Sequence, residues 1–341
     1  MTLIRSKAPL RLGLAGGGTD VSPYADQYTG AILNATINLY AYATIEPTDD
    51  GKIILQAADS DTRLEFASCH EIEIDGNLDL LKGVYNRIVK EFSKKPLSFK
   101  LTTWVDAPAG SGLGTSSTLV VAILSAFAEW LRLPLGEYDL ARLAFEIERV
   151  DLAIAGGRQD QYAATFGGFN FMEFYPDEKV IVNPLRIKRN VLEELQFNLL
   201  LYYSGKSRQS AEIIKAQVAN VQSGNSISIE ATHRLREQAI RMKECVLTGN
   251  LNEIGDIFNQ SWLNKKKMAS GITNSLVDSI YETAIASGAT GGKISGAGGG
   301  GFMLFYCPGP ARFKVMTNLE KLGGTFRRFQ FTEDGVLGWR I

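Results

Sequence analysis

Pro108-Ala109-Gly110-Ser111-Gly112-Leu113-Gly114-Thr115-Ser116-Ser117 is the stretch on which the reading of this chain turns. Before it, Phe99, Leu101, Thr103 and Val105 alternate with Lys100, Thr102 and Trp104, an imperfect period of two that predicts a strand. After it, residues 117–131 are apolar on nearly all sides and predict a helix buried at the centre of a domain. Thr115, Ser116 and Ser117 offer hydroxyl caps for the start of that helix. Glycines at such a junction let the backbone close on a ligand, and free amides at the positive end of a helix dipole attract an anion of phosphate type. Hydroxyls there can reach a phosphate or a Mg²⁺ ion. The expectation is a site for nucleotide phosphates, the plain structural alternative being a capped helix behind a flexible loop.

Two familiar nucleotide motifs do not account for it. In Gly205-Lys206-Ser207, Leu200 occupies the position where a Walker loop needs its earlier glycine. Gly296 to Gly301 matches a dinucleotide fingerprint in form, but Phe302-Met303-Leu304-Phe305-Tyr306 follows as a predicted strand where the dinucleotide mechanism requires a helix.

Working outward, the 34 glycines among 341 residues concentrate in three clusters: Gly13 with Gly16 to Gly18, Gly110 to Gly114, and Gly291-Gly292 with Gly296 and Gly298 to Gly301. Residues 30–46 carry the β-branched and aromatic enrichment of one or two strands. Leu81, Val84, Tyr85, Ile88 and Phe92 keep helical spacing, and a further helix is predicted from about Glu137 to Ile154. The second half predicts helices near 208–222, 228–248, 250–262 and 273–287, and strands at 302–306 and 325–331. Neither half shows regular β-α-β alternation. The fold class expected is α+β in two lobes, 1–183 and 184–341, with the ligand site in the cleft between them.

Composition narrows the partners. The 36 Lys+Arg balance 37 Asp+Glu, which argues against nucleic acid. No run reaches the ~18 apolar residues of a spanning helix, and the start lacks the apolar core of a signal peptide, so no membrane role is expected. Cys69, Cys245 and Cys307 read as reduced thiols of a cytoplasmic protein. His70 and His233 have no metal-ligand spacing, and Trp104, Trp130, Trp262 and Trp339 are expected in the core.

Taken together, Ala8-Pro9-x-Arg11 through Thr19-Asp20, Pro108-x-x-x-Gly112-Leu113-Gly114-Thr115-Ser116, and Lys293-Ile294-Ser295-Gly296 through Gly301 resemble the three motifs of the GHMP kinases, the family of galactokinase, homoserine kinase and mevalonate kinase. The resemblance spans nearly the whole chain. It implies the two-lobed GHMP kinase fold, with ATP and Mg²⁺ as cofactors. Ala15 to Asp20 and Gly156 to Asn170 look like the sugar-kinase branch that phosphorylates D-glycero-D-manno-heptose 7-phosphate at its anomeric carbon, for nucleotide-activated heptose synthesis. Galactokinases carry Glu-His where this chain has Gly17-Gly18, so the sugar pocket is expected to be larger.

The resemblance also implies roles. Asp160 matches the catalytic aspartate, as base or electrostatic partner of the acceptor hydroxyl, and Arg11 its cationic partner. Pro108, Gly110, Ser111, Gly112, Leu113, Gly114, Thr115, Ser116 and Ser117 match the ATP-phosphate loop, with Ser116 and Glu148 on the metal. Asp20, with Gly17, Gly18 and Thr19, is assigned to the sugar, and Gly298 and Gly299 to the floor of the cleft. Lys206 and Arg208 are expected to hold the substrate's own phosphate, with Arg158 as another candidate; Lys265-Lys266-Lys267 is the alternative for that role, a run of three lysines being more usually a solvated face. The adenine pocket is expected within 56–110. The expected partners are ATP and a small sugar phosphate, with a homodimer as the assembly considered. Alternatives are another acceptor, of fucose, galactose or mevalonate type, and an idle family member that senses sugar or nucleotide.

Overall fold

The computed structural model describes residues 2–205 and 210–341. Among them, β1 (Ile4–Ala15), β2 (Gly30–Pro47), β3 (Lys52–Ala57), β4 (Thr62–Ala67), β5 (Phe99–Val105), β6 (Phe169–Phe174) and β7 (Val180–Pro184) belong to one sheet. A second sheet holds β8 (Leu199–Tyr203), β9 (Gly291–Ile294), β10 (Phe302–Tyr306) and β11 (Thr325–Arg327). The last strand, β12 (Leu337–Arg340), returns to the first sheet and pairs with β1. Apart from β3 on β5, the ladders are antiparallel, as an α+β chain without β-α-β alternation requires.

The helices are α1 (Tyr24–Tyr28), α2 (Asp79–Ile88), α3 (Thr115–Leu131), α4 (Glu137–Glu146), α5 (Gln159–Phe166), α6 (Arg189–Asn198), α7 (Ser210–Gln222), α8 (Ser226–Thr248), α9 (Ile254–Met268), α10 (Ser275–Ser287) and α11 (Ala311–Glu320). The predicted buried helix is α3, which packs on β1, β2 and β12 with Val120 to Leu124 fully enclosed. Ser6 Oγ on β1 donates to the Ala122 carbonyl at 2.5 Å, fixing helix to strand.

Four expectations change. The hydroxyl caps do not form: Gly114 is the N-cap residue of α3, and no side chain bonds the exposed amides there. The helix expected through Ile154 is α-helical only to Glu146 and passes into a π-helical turn, Ile147–Asp151. Trp104 is 48% exposed; it alternates outward on β5 and bonds Asp106, which satisfies its indole N–H without burial. Residues 184–341 do not all stay on one side, since β12 and a bridge from Phe331 to Ile37 join the first sheet.

Candidate active site

A cavity of about 530 Å³ lies where the three glycine segments meet. The register of β1 against β2 shifts between Pro9 and Arg11. Such an irregularity re-aims a side chain, and Arg11 reaches across to the first turn of α5. Its Nε donates to Asp160 Oδ1 at 2.8 Å, its Nη2 stands 2.8 Å from the same oxygen in the ion pair, and its Nη1 donates to the Gly112 carbonyl at 2.7 Å. One oxygen of Asp160 thus faces the guanidinium. The other, Oδ2, has no hydrogen-bond partner among the described residues, and Asp160 lies on the cavity wall.

From the loop before α3, Gly110, Gly112, Gly114, Thr115, Ser116 and Ser117 line the cavity. Pro108, Ser111 and Leu113 do not: Pro108 is exposed, and the other two side chains are buried behind the loop. Their carbonyls hold the loop in shape, Ser111 accepting from the Phe302 amide at 2.8 Å and Leu113 from the Arg11 amide at 3.2 Å. With no side-chain cap, the first-turn amides of α3 remain available to an anion. Arg149, which the sequence reading passed over, also lines this end. It is pinned to the carbonyls of Ile154 and Gly157 and to Ser117 Oγ at 3.3–3.4 Å.

The π-helical turn carries Glu148 to the wall, where it is fully buried. Gln161 donates to its Oε2 at 2.5 Å; its Oε1 has no hydrogen-bond partner among the described residues, and Arg149 Nη1 stands 3.7 Å away. Burial pushes the Glu148 carboxyl above its usual range, against the pull of Arg149 and of hydrogen bonds from Ser117 and Gln161. A buried carboxylate oxygen without a donor, on the same wall as the exposed Ser116, suits an oxygen-seeking cation such as Mg²⁺. No group of three His, Cys, Asp or Glu side chains able to hold a metal occurs among the described residues, so such an ion would draw further ligands from phosphates and water.

At the opposite end Asp20 is buried and accepts from the Gln159 amide, the first of α5, at 3.0 Å. Burial raises its carboxyl above the usual range, opposed by that amide and reinforced by the nearby Asp160 charge. Gly157 allows this approach, since a Cβ there would fall 1.9 Å from Asp20 Oδ2.

Several sequence expectations fall differently. Thr19 is off the cavity wall, its hydroxyl spent on the Ala31 amide and carbonyl at 3.0 Å each. Gly17 and Gly18 both line the cavity, and a Cβ at Gly18 would lie 2.8 Å from Met268 Cε. Gly298 and Gly299 leave the wall and pack on Ile272, whose carbonyl accepts from the Gly299 amide at 2.8 Å; only Gly296 and Ala297 of that cluster reach the cavity. Arg158 is committed to Asp26, Ser22 and the Tyr175 carbonyl. Lys206 and Arg208 lie outside the described residues.

Lys265 is 4% exposed rather than solvated, and lines the cavity with Lys293. A helical signal for it was present: Ile254, Ile257, Phe258, Ser261, Trp262, Lys265 and Met268 form one buried stripe of α9, and Lys265 falls in its register.

Residues 79–168 match the GHMP kinases N terminal domain and residues 242–320 the GHMP kinases C terminal domain. The chain is 50% identical, over all of both lengths, to the D-glycero-alpha-D-manno-heptose 7-phosphate kinase of Campylobacter jejuni. It superposes with a TM-score of 0.85 on a crystal structure titled as a D-glycero-D-manno-heptose 1-phosphate kinase from Bacteroides thetaiotaomicron, at 48% identity and 99% coverage of each chain. Lactococcus lactis galactokinase with galactose shares the fold at a TM-score of 0.78 and 18% identity, covering 98% of this chain and 95% of that one. The chain belongs to the GHMP kinase family and is a sugar kinase that uses ATP.

Proposed function

We propose that this kinase transfers the γ-phosphoryl group of ATP, with Mg²⁺, to the anomeric hydroxyl of D-glycero-D-manno-heptose 7-phosphate, giving the 1,7-bisphosphate for nucleotide-activated heptose synthesis. The observation that carries the reading is the 50% identity over the full length to the Campylobacter enzyme. The three free cysteines suit a reducing, cytoplasmic setting.

In this reading Asp160 Oδ2 takes the proton of the anomeric hydroxyl as the sugar oxygen bonds to the γ-phosphorus and the bond to the bridging oxygen of ADP breaks. Arg11 fixes the carboxylate and supplies positive charge beside the transferring group. The glycine loop and the first turn of α3 cradle the ATP phosphates. Asp20 orients sugar hydroxyls. Glu148 and Ser116 would hold Mg²⁺, which would supply positive charge to the ATP phosphates.

Phosphorus NMR of the reaction mixture tests the acceptor. With heptose 7-phosphate and ATP, a second sugar-phosphate resonance coupled to the anomeric proton is expected; its absence would sink the assignment. The metal assignment has its own test. Glu148→Gln is expected to raise the Mg²⁺ concentration for half-maximal activity by about 10–100-fold, and an unchanged requirement would remove Glu148 from the metal.

A further inference from the structure

We propose that Lys265, with Gln217 and Lys293, binds the phosphoryl group the acceptor sugar already carries, and so sets the preference for a phosphorylated over an unphosphorylated sugar. The inference rests on the acceptor reading above, but its test separates from it.

The charges around the cavity leave an anion missing. Arg11 is paired with Asp160, and Arg149 stands beside Glu148. Lys265 and Lys293 have no carboxylate in ion-pair contact among the described residues. Each spends one hydrogen bond on a backbone carbonyl: Lys265 Nζ on Gly17 at 3.2 Å, Lys293 Nζ on Gly13 at 2.6 Å. Buried ammonium groups without a counter-ion are costly, and a phosphate dianion entering between them would relieve that cost.

A neutral donor stands at the same place. Gln217 on α7 is 5% exposed, and its Nε2 has no partner among the described residues. A Cβ at Gly17 would lie 3.8 Å from Lys265 Nζ, and one at Gly18 3.5 Å from Gln217 Oε1, so both side chains adjoin one glycine turn on the cavity wall. That turn is where galactokinases carry Glu-His. Here the polar groups come from the other side, on α7 and α9, and one is a cation. The location beside Gly17 and near Asp20, which is assigned to the sugar, suits a phosphate already on the acceptor.

The charge of Lys265 is labile. Burial pulls its ammonium down to about 8, with Asp20 resisting and Arg11 adding to the fall; burial, with Lys265 and Arg11 close by, pulls Lys293 well down too. Deprotonation above that pH removes the positive charge, so affinity for the sugar phosphate is expected to decline as pH rises through about 8.

The same lysine could instead hold the phosphoryl group arriving from ATP, and calorimetry without nucleotide distinguishes the two. Heptose 7-phosphate and dephosphorylated heptose are titrated into the full chain and its Lys265→Met, Lys265→Arg and Gln217→Leu variants. Lys265→Met is expected to weaken heptose 7-phosphate about 100-fold and the dephosphorylated sugar less than tenfold, with Lys265→Arg recovering much of the loss. Gln217→Leu should weaken the phosphate form about tenfold, which keeps the test open if Lys265→Met does not fold. Equal losses for both sugars, no loss, or a loss seen only in kcat with ATP present would each overturn the proposal. If the wild type ignores heptose 7-phosphate, the acceptor assignment fails; a hexose 6-phosphate against its hexose then tests Lys265 by the same comparison.

Discussion

Asp160→Asn is expected to lower kcat by about 10²–10⁴-fold while the KM for ATP changes only a few fold. The substitution keeps the shape of the side chain and an oxygen at the position that accepts from Arg11 Nε. What it removes is the negative charge and the proton acceptor at Oδ2, the oxygen that no described residue occupies. Gly114 of the glycine loop borders that atom, a Cβ there falling 3.3 Å from Asp160 Oδ2, but Asn keeps the size of Asp, so the loop has no steric reason to move. Single-turnover phosphoryl transfer measured at saturating ATP checks it. A kcat within a factor of a few of wild type would remove Asp160 as the base and leave positioning by Arg11 and the loop as the source of rate.

Arg11 and Asp160 lie 149 positions apart, and nothing local predicts their contact. They were legible only because the three motifs together resemble a family. The phosphate loop was legible by itself, since strand, glycines and apolar helix are contiguous and the physics of a helix N-terminus acts within one turn. Even there the hydroxyls were misassigned as caps, because Gly114 takes the cap position at φ 77° and releases them. The acceptor end was legible least. Missing side chains at Gly17 and Gly18 suggest empty space, yet whether space is empty depends on what arrives from a distant helix, and Met268 arrives there. Lys265 was legible only as one of three consecutive lysines, an alternative for the acceptor's phosphate that a run of like charges could not narrow to one residue. Lys267 is exposed and Lys266 half-buried, so the charge run masked a helix register that turns one of the three inward. Glu148 depended on a π-helical turn, whose extra residue per turn changes the face presented and has no sequence signature used in the reading.

Gly112→Ala is expected to destabilise the fold by about 3 kcal/mol or more, in a loop whose composition suggests tolerance. Gly112 has φ +89°, and a Cβ there would stand 2.3 Å from the Ser295 carbonyl oxygen. That atom is backbone, so no rotamer change can relieve the collision. The third glycine segment is equally close from its own side, with a Cβ at Gly296 falling 2.8 Å from Gly112 Cα. The Gly112 carbonyl meanwhile accepts from Arg11 Nη1 at 2.7 Å and Ser295 Oγ at 2.9 Å. Separating the two segments therefore also moves the group that orients Arg11 against Asp160, and activity should fall in the fraction that remains folded. Gly51→Ala separates strain from collision, because Gly51 has a similar φ of +70° and nothing within 4 Å of its Cβ position. Its cost should be near the ~1–2 kcal/mol of left-handed strain alone. Urea unfolding of the two variants beside wild type gives both numbers. If Gly112→Ala costs no more than Gly51→Ala, the two glycine segments can part freely, and the close contact between them does not hold the site together.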